Sequence, residues 1–457
     1  MRRTAIGQIE RAMAGKLLCG SADDTVTGVS TDSRKAGPDE IFFALIGENH
    51  DAHDFIPDAI ENGVKNIVVS REDTGAYGAG INVIKVADTT KGLQDLAKWY
   101  AAELGIKKIG ITGSTGKTTT KDILYHIFSE KYKTGKTAGN LNTHVGVPLT
   151  ILSFDESIEV GIIEMGAETV GEIHVLVDIA RPDISIITNI GISHIETFGG
   201  RDNIFKGKMQ ITDFLGEKDL FIVNEESDYL SRENVSGNYR LATVGFSGKS
   251  DYILSGITEF GEDGIEFVLE YKEKSKRFKL NIPGRHNAVN ASLAIAAAID
   301  MGISMEEAAR GLLKVELTEK RLNMKGKDGL KVIDDTYNAS PDSMRAAIDV
   351  LISTKGMRKV AVLADMLGLG DDRVQYHEQV GEYAAQKNID LLIATGELSK
   401  HLYEKAREVM GDDKTMYYST RGKLESDIKN IVTPGDVILV KGSRAMAMEN
   451  IVKKILE

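Results

Sequence analysis

From Lys107 onward the chain alternates short apolar runs with stretches of helical spacing, and glycine-rich turns separate them. The runs at 159–164, 184–188 and 219–223 are nearly unbroken in apolar residues, the signature of strands covered on both faces. They predict a mostly parallel sheet flanked by helices. Between 251 and 283 the pattern changes: runs at 265–271 and 277–281 flank a charged turn, which predicts an antiparallel hairpin, either an insertion or a sheet edge. A second alternating series starts near Leu330, with apolar runs at 331–334, 359–363, 391–394 and 437–440, and reads as a separate doubly wound domain. Before about Lys85 lies a third block with short strands at 41–45 and 66–69 and a helix near 55–61. The expectation is an α/β protein of three domains: a small α/β domain over 1–84, a central mostly parallel domain over 85–318 and a C-terminal Rossmann-like domain over 319–457.

Composition narrows the function. A chain of 457 residues exceeds what one core usually serves, in keeping with several domains. The formal charge of -12 argues against nucleic acid or anionic lipid as a partner. Cys19 is the only cysteine, so an intrachain disulfide and a cysteine-held zinc or iron centre are excluded, and a reducing compartment is expected. Charged residues at Glu10, Arg11 and Lys16 interrupt what would be a signal core, and the longest apolar stretch, 291–299, falls short of the roughly 20 residues of a membrane span. A soluble cytoplasmic protein without membrane insertion is expected.

The sharpest local motif is Gly110-Ile111-Thr112-Gly113-Ser114-Thr115-Gly116-Lys117-Thr118-Thr119-Thr120, where an apolar run enters glycines and then a helix. Glycines let backbone N–H groups approach phosphate oxygens, and the helix start adds positive potential. Lys117 is placed to reach terminal phosphates and Thr118 to ligate magnesium. The glycine spacing departs from the strict phosphate-loop pattern, Ile111 standing where its first glycine belongs. ATP or GTP binding is predicted, although the loop alone does not separate kinase, ligase, motor and switch. Glu164 closes one apolar run, and Asn189 and His194 follow another, so all three fall where ligands gather in parallel sheets. Taken by composition, Lys208 reads as a solvated helical lysine.

In order along the chain, these features resemble the Mur ligase family. The resemblance rests on Thr31-Asp32-Ser33-Arg34 and Asp51-Ala52-His53 in the first block, and on the phosphate loop, Gly139-Asn140-Leu141-Asn142, Glu164, His194 and Gly284-Arg285-His286-Asn287 in the second. Asp334-Asp335-Thr336-Tyr337-Asn338 and Lys441-Gly442-Ser443-Arg444 carry it through the third. It implies an ATP-dependent ligase that activates a carboxylate as an acyl phosphate for attack by an amine. Within the family the chain resembles members that add D-alanyl-D-alanine to UDP-N-acetylmuramoyl-tripeptide as monomers. By the same resemblance Gly113, Ser114, Thr115, Gly116, Lys117, Thr118 and Thr119 bind ATP phosphates, while Asn287, Asn290, Arg321 and Asp335 contact the rest of ATP. Two magnesium ions are implied, one on Thr118 and Glu164, the other on His194 and a carbamylated Lys208. Lys117, His194 and Lys208 carry the catalysis, and Ser33, Arg34, Asn140, Asn142 and Asn338 the substrate contacts. Gly368, Thr143 and Ser340 depart from the family pattern, which touches fine substrate contacts rather than the reaction class.

Overall fold

The computed structural model describes residues 1–71, 77–78, 80–318 and 320–457; Glu319, the first residue of the expected C-terminal domain, lies outside them. Three large sheets, with a two-stranded one formed by Thr4–Ala5 and Thr25–Val26, organise the described residues. The N-terminal sheet has five strands in the order Lys16–Cys19, Asn82–Lys85, Asn66–Val69, Glu40–Phe43, Gly28–Ser30, parallel except for the first pair. Its helix is Ile56–Glu61, entered through a 3-10 turn, Ala52–Phe55, whose start is capped by the Asp51 carboxylate.

The central sheet has nine strands, and Lys107–Thr112 lies inside it between Val160–Glu164 and Ile184–Ile187, all parallel. Alternate residues of these strands feed two apolar layers. On one face Ile109 and Ile111 pack with Ile123, Leu124 and the alanine-rich helix His286–Asp300. The opposite layer, with Ile163 and Ile187, meets Leu93, Leu96 and Tyr100 of the helix Thr89–Leu104 and continues without a break into Ile41, Phe43, Val68 and Ile84 of the N-terminal sheet. The expected hairpin is present as Ile265–Tyr271 and Lys274–Leu280, and a third antiparallel strand, Tyr252–Glu259, joins it to the sheet. It is therefore the sheet's edge rather than a separate insertion.

The C-terminal sheet runs Asn323–Lys327, Leu330–Asp335, Asp436–Lys441, Arg358–Ala364, Leu391–Thr395, Thr415–Tyr418. Only the first pair is antiparallel, and each of its two faces carries an apolar layer of its own. Each apolar run read from the sequence here sits inside an observed strand; the two edge strands had no such run. Among the described residues no helix is long and apolar enough to cross a membrane.

Candidate active site

At the carboxyl end of Lys107–Thr112 the chain turns through Gly113 and Gly116 into the helix Lys117–Phe128. Gly113 (φ +148°) and Gly116 (φ +79°) hold backbone conformations that side chains resist, and a Cβ on Gly116 would stand 2.8 Å from Asn290 Oδ1. The loop is stapled by the segment after Ile184–Ile187. Asn189 accepts from Thr115 N (2.9 Å) and donates to Thr115 Oγ1 (2.7 Å), Thr188 Oγ1 donates to Thr115 O (2.5 Å), and Gly191 N donates to Ser114 Oγ (2.9 Å). Sequence reading marked Asn189 as a strand-end residue but not as this clamp.

Lys117 Nζ lies against the loop, donating to Gly113 O at 2.8 Å. Burial pulls its proton affinity below the ordinary lysine value; the Glu164 charge opposes this and that of Arg321 adds to it. Thr118 Oγ1 donates to Glu164 Oε1 at 3.1 Å, and Asn142 Nδ2 reaches the same oxygen at 2.8 Å. Glu164 Oε2 is buried with no hydrogen-bond partner, its nearest cation being Lys121 Nζ at 3.8 Å. A buried carboxylate oxygen without a donor suits a bound cation. Among the described residues no group of three or more His, Cys, Asp or Glu side chains could cage a metal. A cation here would thus draw on the Thr118 hydroxyl, water and phosphate oxygens, the habit of magnesium.

His194 has a left-handed backbone (φ +60°) and sits 3.5 Å from Glu168 Oε1; burial lowers its proton affinity. Lys208 departs from its compositional reading. On the helix Arg201–Met209 it is 2% exposed, and among the described residues no carboxylate pairs with it; its Nζ lies 5.6 Å from the centre of the Phe198 ring. Burial first, then the Lys117 charge, drive its proton affinity well below the ordinary value, with Glu172 opposing weakly.

The C-terminal domain closes the other wall. Arg321 stacks its guanidinium 4.1 Å from the Tyr337 ring centre, and its Nε is buried and unpartnered. Asp335 accepts from Leu322 N (3.3 Å) and from buried Lys441 Nζ (2.5 Å), which also donates to Asn338 O (2.8 Å). One cleft with a cavity volume of about 1060 Å³ brings together Ser114, Thr115, Gly116, Lys117, Thr118, Thr119, Asn140, Asn142, Glu164, His194, Asn290, Arg321, Asp335 and Asn338. Gly113, Lys208 and Asn287 stand behind its surface, Asn287 holding Asn290 through a 3.0 Å hydrogen bond. Ser33 and Arg34 are not part of the lining; Arg34 points outward and pairs with Asp32. Glu48 and Gln94 mark the cleft's N-terminal end. Lys441, Arg444 and His286 also line it; they stand in motifs that carry the resemblance but were given no role there.

Comparisons with known proteins give the chain's family. Residues 111–298 match the model of the Mur ligase middle domain, 320–444 that of the Mur ligase, glutamate ligase domain, and 25–101 that of the Mur ligase family, catalytic domain. The chain is 37% identical over 460 residues to the UDP-N-acetylmuramoyl-tripeptide--D-alanyl-D-alanine ligase of Bacillus subtilis, covering 100% of this chain and 99% of that one. It superposes on a crystal structure of MurF from Acinetobacter baumannii with TM-score 0.91 at 31% identity, covering 100% and 99% of the two chains. The MurF ligase from Thermotoga maritima in complex with ADP gives TM-score 0.82 at 27% identity, with 94% and 97% covered.

Proposed function

The chain belongs to the Mur ligase family, and on that footing we propose that it joins D-alanyl-D-alanine to UDP-N-acetylmuramoyl-tripeptide at the expense of ATP, giving the pentapeptide precursor of peptidoglycan. The observation that carries this reading is the single cleft into which the phosphate loop, the Asn140–Asn142 turn and Glu48, and the Arg321, Asp335 and Asn338 wall all converge.

A carboxylate resists attack by an amine because its charge is delocalised, so one oxygen must first become a leaving group. Transfer of the ATP γ-phosphoryl to the tripeptide carboxylate achieves that, and the two anions must be brought together against their repulsion. Lys117, already held over the loop carbonyls, is positioned to offset the phosphate charge. The loop N–H groups and the helix start hold the phosphates in line. Arg321 and Asp335, together with Asn290 backed by Asn287, take the remainder of the nucleotide. Thr118 and Glu164 would hold one magnesium ion and His194 and a carbamylated Lys208 a second, and the ions would supply the remaining positive charge. Buried Glu164 Oε2 supports the first site. The low proton affinity of Lys208 supports the carbamate, since only an uncharged amine adds to CO2. The C-terminal domain, 319–457, presents the dipeptide amine to the acyl phosphate, and 1–84 holds the uridine nucleotide, with Ser33 and Arg34 as its contacts although both lie outside the cleft lining. The monomeric state follows the family resemblance, and an exposed free Cys19 suits the cytoplasm.

Phosphate release from ATP and magnesium is the test, with UDP-N-acetylmuramoyl-tripeptide and D-alanyl-D-alanine offered singly and together and the product weighed by mass spectrometry. Release that requires both, with a product heavier by the dipeptide residue, is expected. Release driven by a different amine, or none above background, overturns the reading.

A further inference from the structure

The phosphate-loop helix carries a row of polar groups along one side that the chemistry above does not use beyond its first member. Thr118 meets Glu164. Four residues on, the fully buried Asp122 accepts from both Thr318 N (3.0 Å) and Thr318 Oγ1 (2.8 Å). Four further, His126 Nε2 accepts from Glu316 N at 3.4 Å. Four further again, just past the helix, Glu130 pairs with Lys314 and with Arg310, the latter at 3.2 Å. The partners 318, 316 and 314 thus run antiparallel to the helix, along the segment that leaves the helix Met305–Leu312 and delivers Arg321 to the cleft.

The spacings match physically. Four helical residues rise about 6 Å, close to the roughly 6.5 Å that two residues of extended chain span, so beyond the turn at 313–314 Glu316 and Thr318 meet successive turns of the helix. Upstream, Gly311 permits the close start of this alignment: a Cβ there would stand 2.6 Å from Ile127 Cα. Asp122 is itself fixed on its other oxygen by Lys136 Nζ at 2.9 Å, with Lys121 Nζ at 3.6 Å. A neutral side chain would tie down a connecting segment without the cost of burying a carboxylate, so the charge points to a demand for placement rather than for mere attachment.

From this row we propose that Asp122 is a positioning residue for the ligase reaction: by fixing Thr318 it helps set where Arg321, three residues later, enters the cleft wall. The inference rests on the ATP-dependent reading of the cleft. Thr318→Val removes the hydroxyl with little change of shape. It is expected to lower kcat/KM for ATP about tenfold, mostly through KM, the range for a hydrogen bond to a charged acceptor. Affinity for UDP-N-acetylmuramoyl-tripeptide measured without ATP should stay at the wild-type value, which a general loss of structure would not allow. Thr318→Ser should recover to within about twofold of wild type, and in an Arg321→Ala background Thr318→Val should add less than about twofold. Asp122→Asn, which turns one acceptor into a donor facing Thr318, should lose more than Thr318→Val. Wild-type kcat/KM for ATP in both Thr318→Val and Asp122→Asn, or full multiplication of the Thr318 and Arg321 effects, would overturn the proposal. A wild-type enzyme that fails to couple phosphate release to both substrates overturns the cleft reading and this inference together, and is distinguished by appearing before any variant is made.

Discussion

Replacing Lys208 by methionine should make the protein more stable and inactive at once. The side chain is 2% exposed, has no carboxylate partner among the described residues, and sets its Nζ 5.6 Å from the centre of the Phe198 ring. Whether the amine stays charged in a poor dielectric or gives up its proton, folding bears a cost. Its ceiling at pH 7 is about 4.6 kcal/mol, the cost of deprotonating a lysine of ordinary pKa ~10.4. Methionine keeps the volume and removes the charge, so a gain of about 1–3 kcal/mol is expected, within the span seen when buried ions are exchanged for apolar groups. For a domain of central-domain size this corresponds to a Tm higher by roughly 3–10 °C. The sign against pH follows from linkage. The folded state holds the Lys208 proton less tightly than the unfolded chain, so the unfolded chain binds more protons up to about pH 10.4 and wild-type stability rises with pH through that range. The Tm gap between Lys208→Met and wild type should therefore be widest below the lowered folded pKa and close as pH climbs toward about 10.4. The assay is thermal unfolding by circular dichroism in buffer purged of CO2, with ligase turnover measured in parallel and expected to fall at least about 100-fold. A Lys208→Met protein less stable than wild type at pH 7, or a gap that ignores pH, would refute the reasoning.

Two further outcomes follow from other contacts. Glu262 on the central domain is partly buried, which raises its pKa, but hydrogen bonds from Lys331 and from Lys355 N on the C-terminal domain outweigh that and hold it at about 2. The contact is complete above the ordinary glutamate range and lost as pH falls through about 2, so the Tm difference between wild type and Glu262→Gln should be present at pH 5 and vanish toward pH 2. In the N-terminal domain His53 bridges Asp51 Oδ1 (2.6 Å) and Ser70 N (3.0 Å), bracing the turn that carries Glu48 to the cleft. His53→Ala should cost about 1–3 kcal/mol and raise KM for the uridine nucleotide substrate severalfold with KM for ATP unchanged, read from initial rates.

What the sequence disclosed tracks how local the signal is. Runs such as 184–188 and 437–440 announce themselves because parallel strands are apolar on both faces. The edge strand Asn323–Lys327, half to fully exposed, has no apolar face to betray it, and Tyr252–Glu259 loses its two-residue period at a register shift between Ser255 and Thr258, where Gly256 takes φ +56°. The phosphate loop is legible because its glycines, Lys117 and Thr118 are neighbours in sequence. The clamp of Asn189 on Thr115 spans 74 residues and that of Thr318 on Asp122 spans 196, and no local pattern encodes such pairs. Lys208 was misread by composition for the same reason, its burial being supplied wholly by tertiary packing.

The unbroken apolar layer between the N-terminal and central sheets bears on how such an enzyme can be rearranged. Ile41, Phe43 and Ile84 share one layer with Leu93, Tyr100 and Ile163, and the Tyr100 hydroxyl donates to Phe154 O while accepting from Arg2 N, so a cut near Lys85 lays open an oily seam. The C-terminal sheet keeps its apolar layers largely to itself. Recombination or protease nicking at the segment around Thr318 therefore separates parts that each keep a dry interior, and an ancestral gene could exchange the amine-presenting piece for another without recutting the joint that seats the nucleotide sugar.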